Sequence, residues 1–303
     1  MSSRSQPDSE ADAPASAGGE HKTDWSALPD DIFSVFENRT AQDSAEFLLP
    51  TLAEIQQRNP RLTLLDVGAG SGSISASFAK IIGPGGGRVT AVDVNQTVLE
   101  RGRTLLTTKY GLTEDQSEWV TFKTADGHSL PFPDDSFDVT YCHQVLAHNK
   151  GQFQILAEML RVTKPGGVVA AREGDTETES FWPPLPGLLK FHNDLEMRSM
   201  RARGASTQSG RRLLSWALEA NGGDRAKITT SFTAWSYTEA AERRLWATGM
   251  ITGALGHPYI IEQNLKSGIT EAEMDEMRDA WIEWRDRDDA TLSMMQGQIL
   301  MTK

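Results

Sequence analysis

Three aspartates and a histidine close the apolar runs of this chain. Asp66 lies in Leu62-Thr63-Leu64-Leu65-Asp66-Val67, just before the loop Gly68-Ala69-Gly70-Ser71-Gly72. Asp93 ends the run from Arg88, Asp126 the run from Val120, and His143 follows Phe137 to Cys142. A carboxylate before a glycine turn suits a ligand with an amino group or positive charge. Its alternative task is to hold the loop's own N–H groups. An acid about 20 residues further on accepts hydrogen bonds from ribose hydroxyls, and Asp93 follows Gly70 by 23 positions. Its alternative is an N-cap for the helix from Gln96. The glycines permit a tight turn with no Cβ to keep a ligand away. The helix that follows offers free N–H groups. The spacing departs from the dinucleotide fingerprint, because Ser73 stands where the third glycine belongs and Gly72 comes one place early. A pyrophosphate is therefore disfavoured.

Strands and helices must alternate to bring these residues to one edge. Ile74 to Ile82, Val98 to Lys109 and Ile155 to Val162 carry helical apolar spacing,. Between them lie strands ending at Asp93, Asp126 and Cys142, and a fifth from Val168 to Ala171 after the turn Lys164-Pro165-Gly166-Gly167. That order predicts an α/β fold, a doubly wound, mostly parallel sheet with right-handed crossovers. Ligands bind beyond the carboxyl ends of such strands, where all four polar residues fall. Before the sheet, Ile32, Val35 and Phe36 share one helical face and Ala45, Phe47, Leu48 and Leu52 another. Asp43 or Ser44 is expected to cap the second helix, and Pro50 to kink or end it. Ile228 to Trp235 reads as a sixth strand. Glu271 to Arg285 reads as a polar helix with Met274, Met277 and Trp281 on one face.

Composition narrows the class. The 303 residues carry a net charge of −12, which disfavours a nucleic-acid partner. Cys142 is the single cysteine, so neither a disulfide framework nor a multi-cysteine metal site is expected, and no metal is assigned. No apolar run reaches membrane length, and no secretory signal opens the chain. A cytoplasmic protein is expected, as a monomer or homodimer. Residues 1–24 lack large apolar side chains and are expected to be a disordered tail. Residues 25–303 then form one domain, with an N-terminal helical cap over 25–60.

Leu64-Leu65-Asp66-Val67-Gly68-Ala69-Gly70-Ser71-Gly72 resembles the first motif of the class I S-adenosylmethionine (SAM) dependent methyltransferases. Asp93 matches that family's ribose-binding acid, and Asp126 the acid that contacts the adenine amino group. Leu130-Pro131-Phe132 through Phe137-Asp138-Val139, and the Lys164 turn, fit its later motifs. Arg39-Thr40-Ala41, His143-Gln144-Val145-Leu146 with His148, Ala171-Arg172-Glu173 and Gly210-Arg211-Arg212-Leu213 resemble the ubiquinone/menaquinone-biosynthesis subgroup, in particular its small-molecule fungal and bacterial members. The resemblance spans roughly residues 30 to 300. It implies a seven-stranded sheet whose last, antiparallel strand is Thr291 to Thr302, and a helical lid inserted after the fifth strand, over 174–262. It also implies a cofactor site of Asp66, Gly68, Ala69, Gly70, Asp93, Val94, Ala125, Asp126, Gly127 and His143, with S-adenosylhomocysteine as the product. Ala69 departs from the usual Cys or Ser, with little consequence. Asn149-Lys150-Gly151 departs from the expected Leu and acidic turn, which bears on the acceptor pocket.

Phe181, Trp182, Phe191, Trp216, Trp235 and Trp246 crowd the segment after the fifth strand. Singly such residues are core more often than pocket. Together they suit an apolar cleft for a flat small molecule of secondary or quinone-type metabolism. Phe36, Trp182, Phe191 and His192 are the expected acceptor contacts. In-line methyl transfer needs alignment and water exclusion, and a base only for a protonated acceptor. His143, His148, His192 and Glu173 are the candidates; His148 is assigned as base, with a structural histidine at the helix start as its alternative, and His143 to cofactor packing. A nicotinamide oxidoreductase lacks its glycine spacing and catalytic pair here. An Asn/Asp-Pro-Pro motif of nucleic-acid amino-methyltransferases is absent, and arsenite methylation wants several cysteines. The alternative is a SAM-binding scaffold recruited for another reaction, such as cyclisation.

Overall fold

The longest apolar runs become strands covered on both faces, as parallel sheets require. The computed structural model describes residues 35–303; the expected tail over 1–24 and the start of the helical cap lie outside them. β1 (Thr63–Val67), β2 (Arg88–Asp93), β3 (Val120–Thr124), β4 (Phe137–His143) and β5 (Thr163–Gly174) pair in parallel in the order β3-β2-β1-β4-β5. β8 (Thr291–Thr302) pairs antiparallel with β5 on one side and β7 (Ile228–Tyr237) on the other. β6 (Ser180–Trp182) pairs with the first residues of β8. All strands but β8 therefore run the same way.

The sheet has eight strands, one more than expected. β5 leaves β8 at Gln296, and the exposed edge from Ser293 to Thr291 is taken by Ser180 to Trp182. β5 also absorbs the predicted turn at Lys164: Gly166 keeps a φ of +76°, and the β4–β5 register shifts between Phe137 and Val139. The turn survives as a bulge.

Helices α1 (Ala41–Ser44), α2 (Leu49–Arg58), α3 (Ser73–Ile82) and α4 (Gln96–Thr108) pack on the face bearing Leu64, Ala91, Tyr141 and Ala170. Helices α5 (Gln152–Val162) and α6 (Ser209–Ala220) cover the face of Leu65, Val67, Cys142 and Ile299. Two local expectations are corrected. Thr40, not Asp43 or Ser44, caps α1, with Asp43 as the reciprocal member of the capping box,. Pro50 stands at the start of α2, where its missing N–H costs nothing. Asn95 caps α4 by accepting from Val98 N–H at 3.2 Å, so Asp93 is not its cap.

A third core belongs to the helical cap. Leu188, Phe191 and Leu195 meet Trp246 of α7 (Ala240–Gly249) and Met277, Trp281 and Trp284 of α8 (Glu271–Asp286). The cap thus reaches Asp286, past the residue 262 read from the sequence, while α6 and β7 within that span belong to the sheet.

Candidate functional site

At the carboxyl edge of β1 the loop turns through three left-handed glycines, with φ of +71°, +56° and +78° at 68, 70 and 72. They differ in what faces them. A Cβ on Gly68 would meet Val145 at 2.4 Å, and one on Gly72 would meet the Phe122 ring at 2.6 Å. A Cβ on Gly70 would meet nothing within 4 Å, so open space lies there. Gly68 and Ala69 N–H both donate to Val92 O. Gly70 N–H donates to Asp93 Oδ2 at 3.0 Å, and Asn95 N–H to Asp93 Oδ1 at 3.0 Å. Asp93 thereby fixes the loop while each oxygen keeps further acceptor capacity. Burial raises its pKa against these donors.

Asp66 is turned inward. It is buried and accepts from Ser75 Oγ at 2.6 Å, binding strand β1 to the first turn of α3. Burial pushes its carboxyl up to about 7, with Asp93 adding to the shift. Holding Ser75 is a variant of the loop-holding alternative. Beside Asp93, Val94 is 61% exposed, an apolar face left open next to acceptors. Ala125 N–H donates to Asp93 O at 3.0 Å. Asp126 Oδ1 accepts from His128 N–H at 2.9 Å and lies 2.8 Å from its Nδ1. Gly127 is small because Val67 and Ile155 would stand 3.2 and 3.3 Å from a Cβ.

His143 ends β4 beside the glycine-loop edge. Cys142 pairs with Val67, so His143 stands level with Gly68, and it pairs with Arg172 on its other side. It is buried between Tyr141 and the edge of Trp235, 5.5 Å away, and neither ring nitrogen has a partner. Burial, then the charges of Arg39 and Arg172, hold it neutral, far below its usual pKa. It forms the joint between the glycine-loop edge and a neighbouring cleft.

That cleft, about 600 Å³, lies over β5, β8 and β7 and is closed by the chain from Val35 to Phe47 and by α7. Arg39, Arg172, Trp235, Tyr237, Trp246 and Gln298 are among its walls. Tyr237 and Trp246 stack at 4.6 Å. The N-terminal segment is tied down by Glu37, buried and paired with Arg101 at 2.6 Å and Lys109 at 3.0 Å.

The expected acceptor contacts scatter. Phe36 is exposed under the Arg39 guanidinium, and its carbonyl accepts from Ser73 Oγ. Phe191 is 2% exposed and packs edge-on against Trp281; it is core of the cap, not a wall of the cleft. Trp182 is 57% exposed on β6 and does not line the cleft either. His192 is committed to Glu179 at 2.9 Å and Glu196 at 3.3 Å. Burial works to lower its pKa, but those two carboxylates raise it to about 9. The trio brings three metal-ligating atoms within 4.8 Å of one another, yet they hydrogen-bond each other. Glu173 is likewise spent: fully buried, it accepts from Val145, Leu146 and Ala147 N–H at 2.8, 2.8 and 3.1 Å. His148 ends the turn so held. Crowding by the chain, then Arg203 and Arg39, press its pKa down to about 4, although much of its surface is open. Arg39, Arg172 and Gln298 were not singled out as site residues; strand alternation from Tyr141 through the β4–β5 register was the signal for Arg172.

Residues 65–171 match the sequence profile of a methyltransferase domain. Over 250 residues the chain is 28% identical to an uncharacterised methyltransferase of Schizosaccharomyces pombe, covering 79% of this chain and 84% of that one. It is 37% identical over 135 residues to the ubiquinone/menaquinone biosynthesis C-methyltransferase of Burkholderia orbicola, spanning 45% of this chain and 50% of the relative. Among solved structures, the YcgJ protein of Bacillus subtilis shares the fold with a TM-score of 0.51 at 18% identity, over 85% of this chain and 98% of that chain. The domain profile and these relatives make the chain a SAM-dependent methyltransferase, with SAM as its cofactor. Among the described residues no helix is long and apolar enough to cross a membrane.

Proposed function

We propose that the enzyme methylates an apolar, aromatic small molecule held in the cleft beside His143. The observation that carries this reading is adjacency: Trp235 of the aromatic cleft wall meets the ring of His143, which stands level with Gly68 of the cofactor loop. The loop fits the cofactor, since Gly70 faces open space, Asp93 offers acceptors for ribose hydroxyls and Val94 an apolar face for the adenine. Asp126 and Gly127 follow on β3's exit, on the adenine side. When bound, SAM supplies a methyl on a sulfonium, and the acceptor's lone pair takes it in line while the sulfur keeps the bonding pair and leaves as a thioether. The protein's part is alignment and water exclusion. The cap over 186–286 acts as the lid. Of the four base candidates, Glu173 and His192 are committed to other partners, whereas His143 and His148 are neutral but weakened as bases by burial and by the arginines near them.

A panel of naphthols, phenols, thiols and amines with labelled SAM tests this. The expected result is a methylated product whose KM rises about tenfold or more in Trp235→Ala, with S-adenosylhomocysteine binding retained. Tight S-adenosylhomocysteine binding without any product across the panel would move the assignment to a recruited, non-methylating scaffold.

A further inference from the structure

Methyl transfer itself makes no use of the two cations in the cleft. The Cζ atoms of Arg39 and Arg172 stand 4.5 and 5.5 Å from the centre of the Trp235 ring. Among the described residues neither guanidinium has a carboxylate at ion-pair distance; Arg172 donates one N–H to the backbone oxygen of Asp43. The acids nearby are otherwise engaged. Asp43 accepts from Thr40 N–H, Thr40 Oγ1 and Ser44 Oγ in the α1 cap. Glu242 accepts from Thr238 and Glu239 N–H in the cap of α7. Glu46 also lines the cleft and acts on Arg172 through its charge, without an ion-pair contact to either arginine.

Unpaired donors converge on the same face of the sheet. Among the described residues, the Nε of Arg172, which is 4% exposed, has no partner, and neither has Gln296 Nε2 nor either nitrogen of His143, one of which is a donor in the neutral ring,. Register puts them together: Arg172 pairs with His143 on β4 and with Gln298 on β8, and Gln296 lies two residues along. Burial and the neighbouring Arg172 lower Arg39 only to about 10, so both side chains are charged at neutral pH. A buried charge without a counter-charge is costly. A planar guanidinium fork matches a carboxylate in geometry and charge.

We propose, building on the acceptor cleft assigned above, that Arg39 and Arg172 form an anion subsite and that the methyl acceptor is an aromatic carboxylate held by its acid group. The carboxylate seats between the two guanidiniums over Trp235. The aromatic body lies along the Tyr237–Trp246 stack.

The test compares 2-naphthoate with 2-naphthamide, its neutral near-isostere, by calorimetry on the full chain saturated with S-adenosylhomocysteine. The subsite predicts naphthoate binding at least about tenfold tighter. Arg39→Gln, in a half-buried residue whose side chain makes no hydrogen bond among the described residues, and Arg172→Gln should each erase most of that ratio while S-adenosylhomocysteine affinity and melting temperature hold. If Arg172→Gln does not fold, Arg39→Gln and the wild-type ratio decide. Equal binding of the two probes overturns the anion subsite and leaves the aromatic cleft standing. Binding of neither, with S-adenosylhomocysteine still bound, overturns the cleft reading and the subsite with it.

Discussion

Single side chains in this site work by holding others. Asp93 fixes the glycine loop through Gly70 N–H and presents the same carboxylate to the open side. Asp93→Ala should weaken S-adenosylhomocysteine binding about 10–100-fold, the loss of one or two charge-assisted hydrogen bonds; unchanged affinity in calorimetry would remove the assignment. Asp66 carries a different signature. Its folded pKa, about 7, lies above the ordinary 3.8, so the fold prefers the protonated acid. Below pH ~4 both states are protonated and the group contributes nothing. As pH climbs toward 7, ionisation in the unfolded chain increasingly opposes folding. Asp66→Asn removes that opposition, because an amide oxygen still accepts from Ser75. Its gain over the wild type in urea unfolding should grow by roughly 2 kcal/mol between pH 5 and pH 8. A difference independent of pH would show that Asp66 titrates normally.

At the scale of elements, the turn after β4 hangs on one residue. Glu173 reaches from β5 to accept three consecutive N–H groups, and Val145 on that turn packs over Gly68. Glu173→Ala leaves those donors unpaired at a cost of about 2–5 kcal/mol, and should loosen cofactor binding with it. Glu173→Gln, which keeps one acceptor oxygen, should fall between. Equal melting temperatures for Glu173→Ala and wild type would refute the role. The five parallel strands, their order of helices and the polar residues at the ends of the first four strands were legible in the sequence, because a doubly covered strand needs an unbroken apolar run and a ligand edge needs polar residues at its end. Other features depend on contacts that local pattern does not encode. Phe191 and Trp235 are both aromatics of one crowded segment, yet one faces Trp281 and the other a cleft. Arg39 meets Arg172 only through folding of a segment more than a hundred positions away. β6 exists only because β8 outruns β5. Thr40 over Asp43 as cap was a matter of reading the capping box from its first member.

For the whole molecule, the net charge of −12 repels polyanions only beyond the cleft, since screening confines it to about 8–10 Å at ordinary salt. Inside, local charge decides, and the same holds for how the cap is fastened. Glu179, just before β6, meets His192 and Glu196 in the cap, so the trio joins cap to sheet. His192 is raised above its ordinary 6.5 to about 9. The stability it lends is full below pH 6.5 and is lost as pH rises through 9. Glu179 shares its proton with His192 and is itself raised by burial and by Glu196, so the joint takes up protons on folding and gives them up as pH climbs. Both groups therefore weaken the joint in the same direction. The unfolding midpoint in urea should fall between pH 6 and pH 9. Hydrogen exchange, corrected for its intrinsic pH dependence, should speed up first over residues 186–202 while β1 and β4 stay protected. In Glu179→Gln/His192→Gln that regional acceleration should vanish. Uniform acceleration across sheet and cap, or the same regional change in the double variant, would place the pH response elsewhere than in this joint.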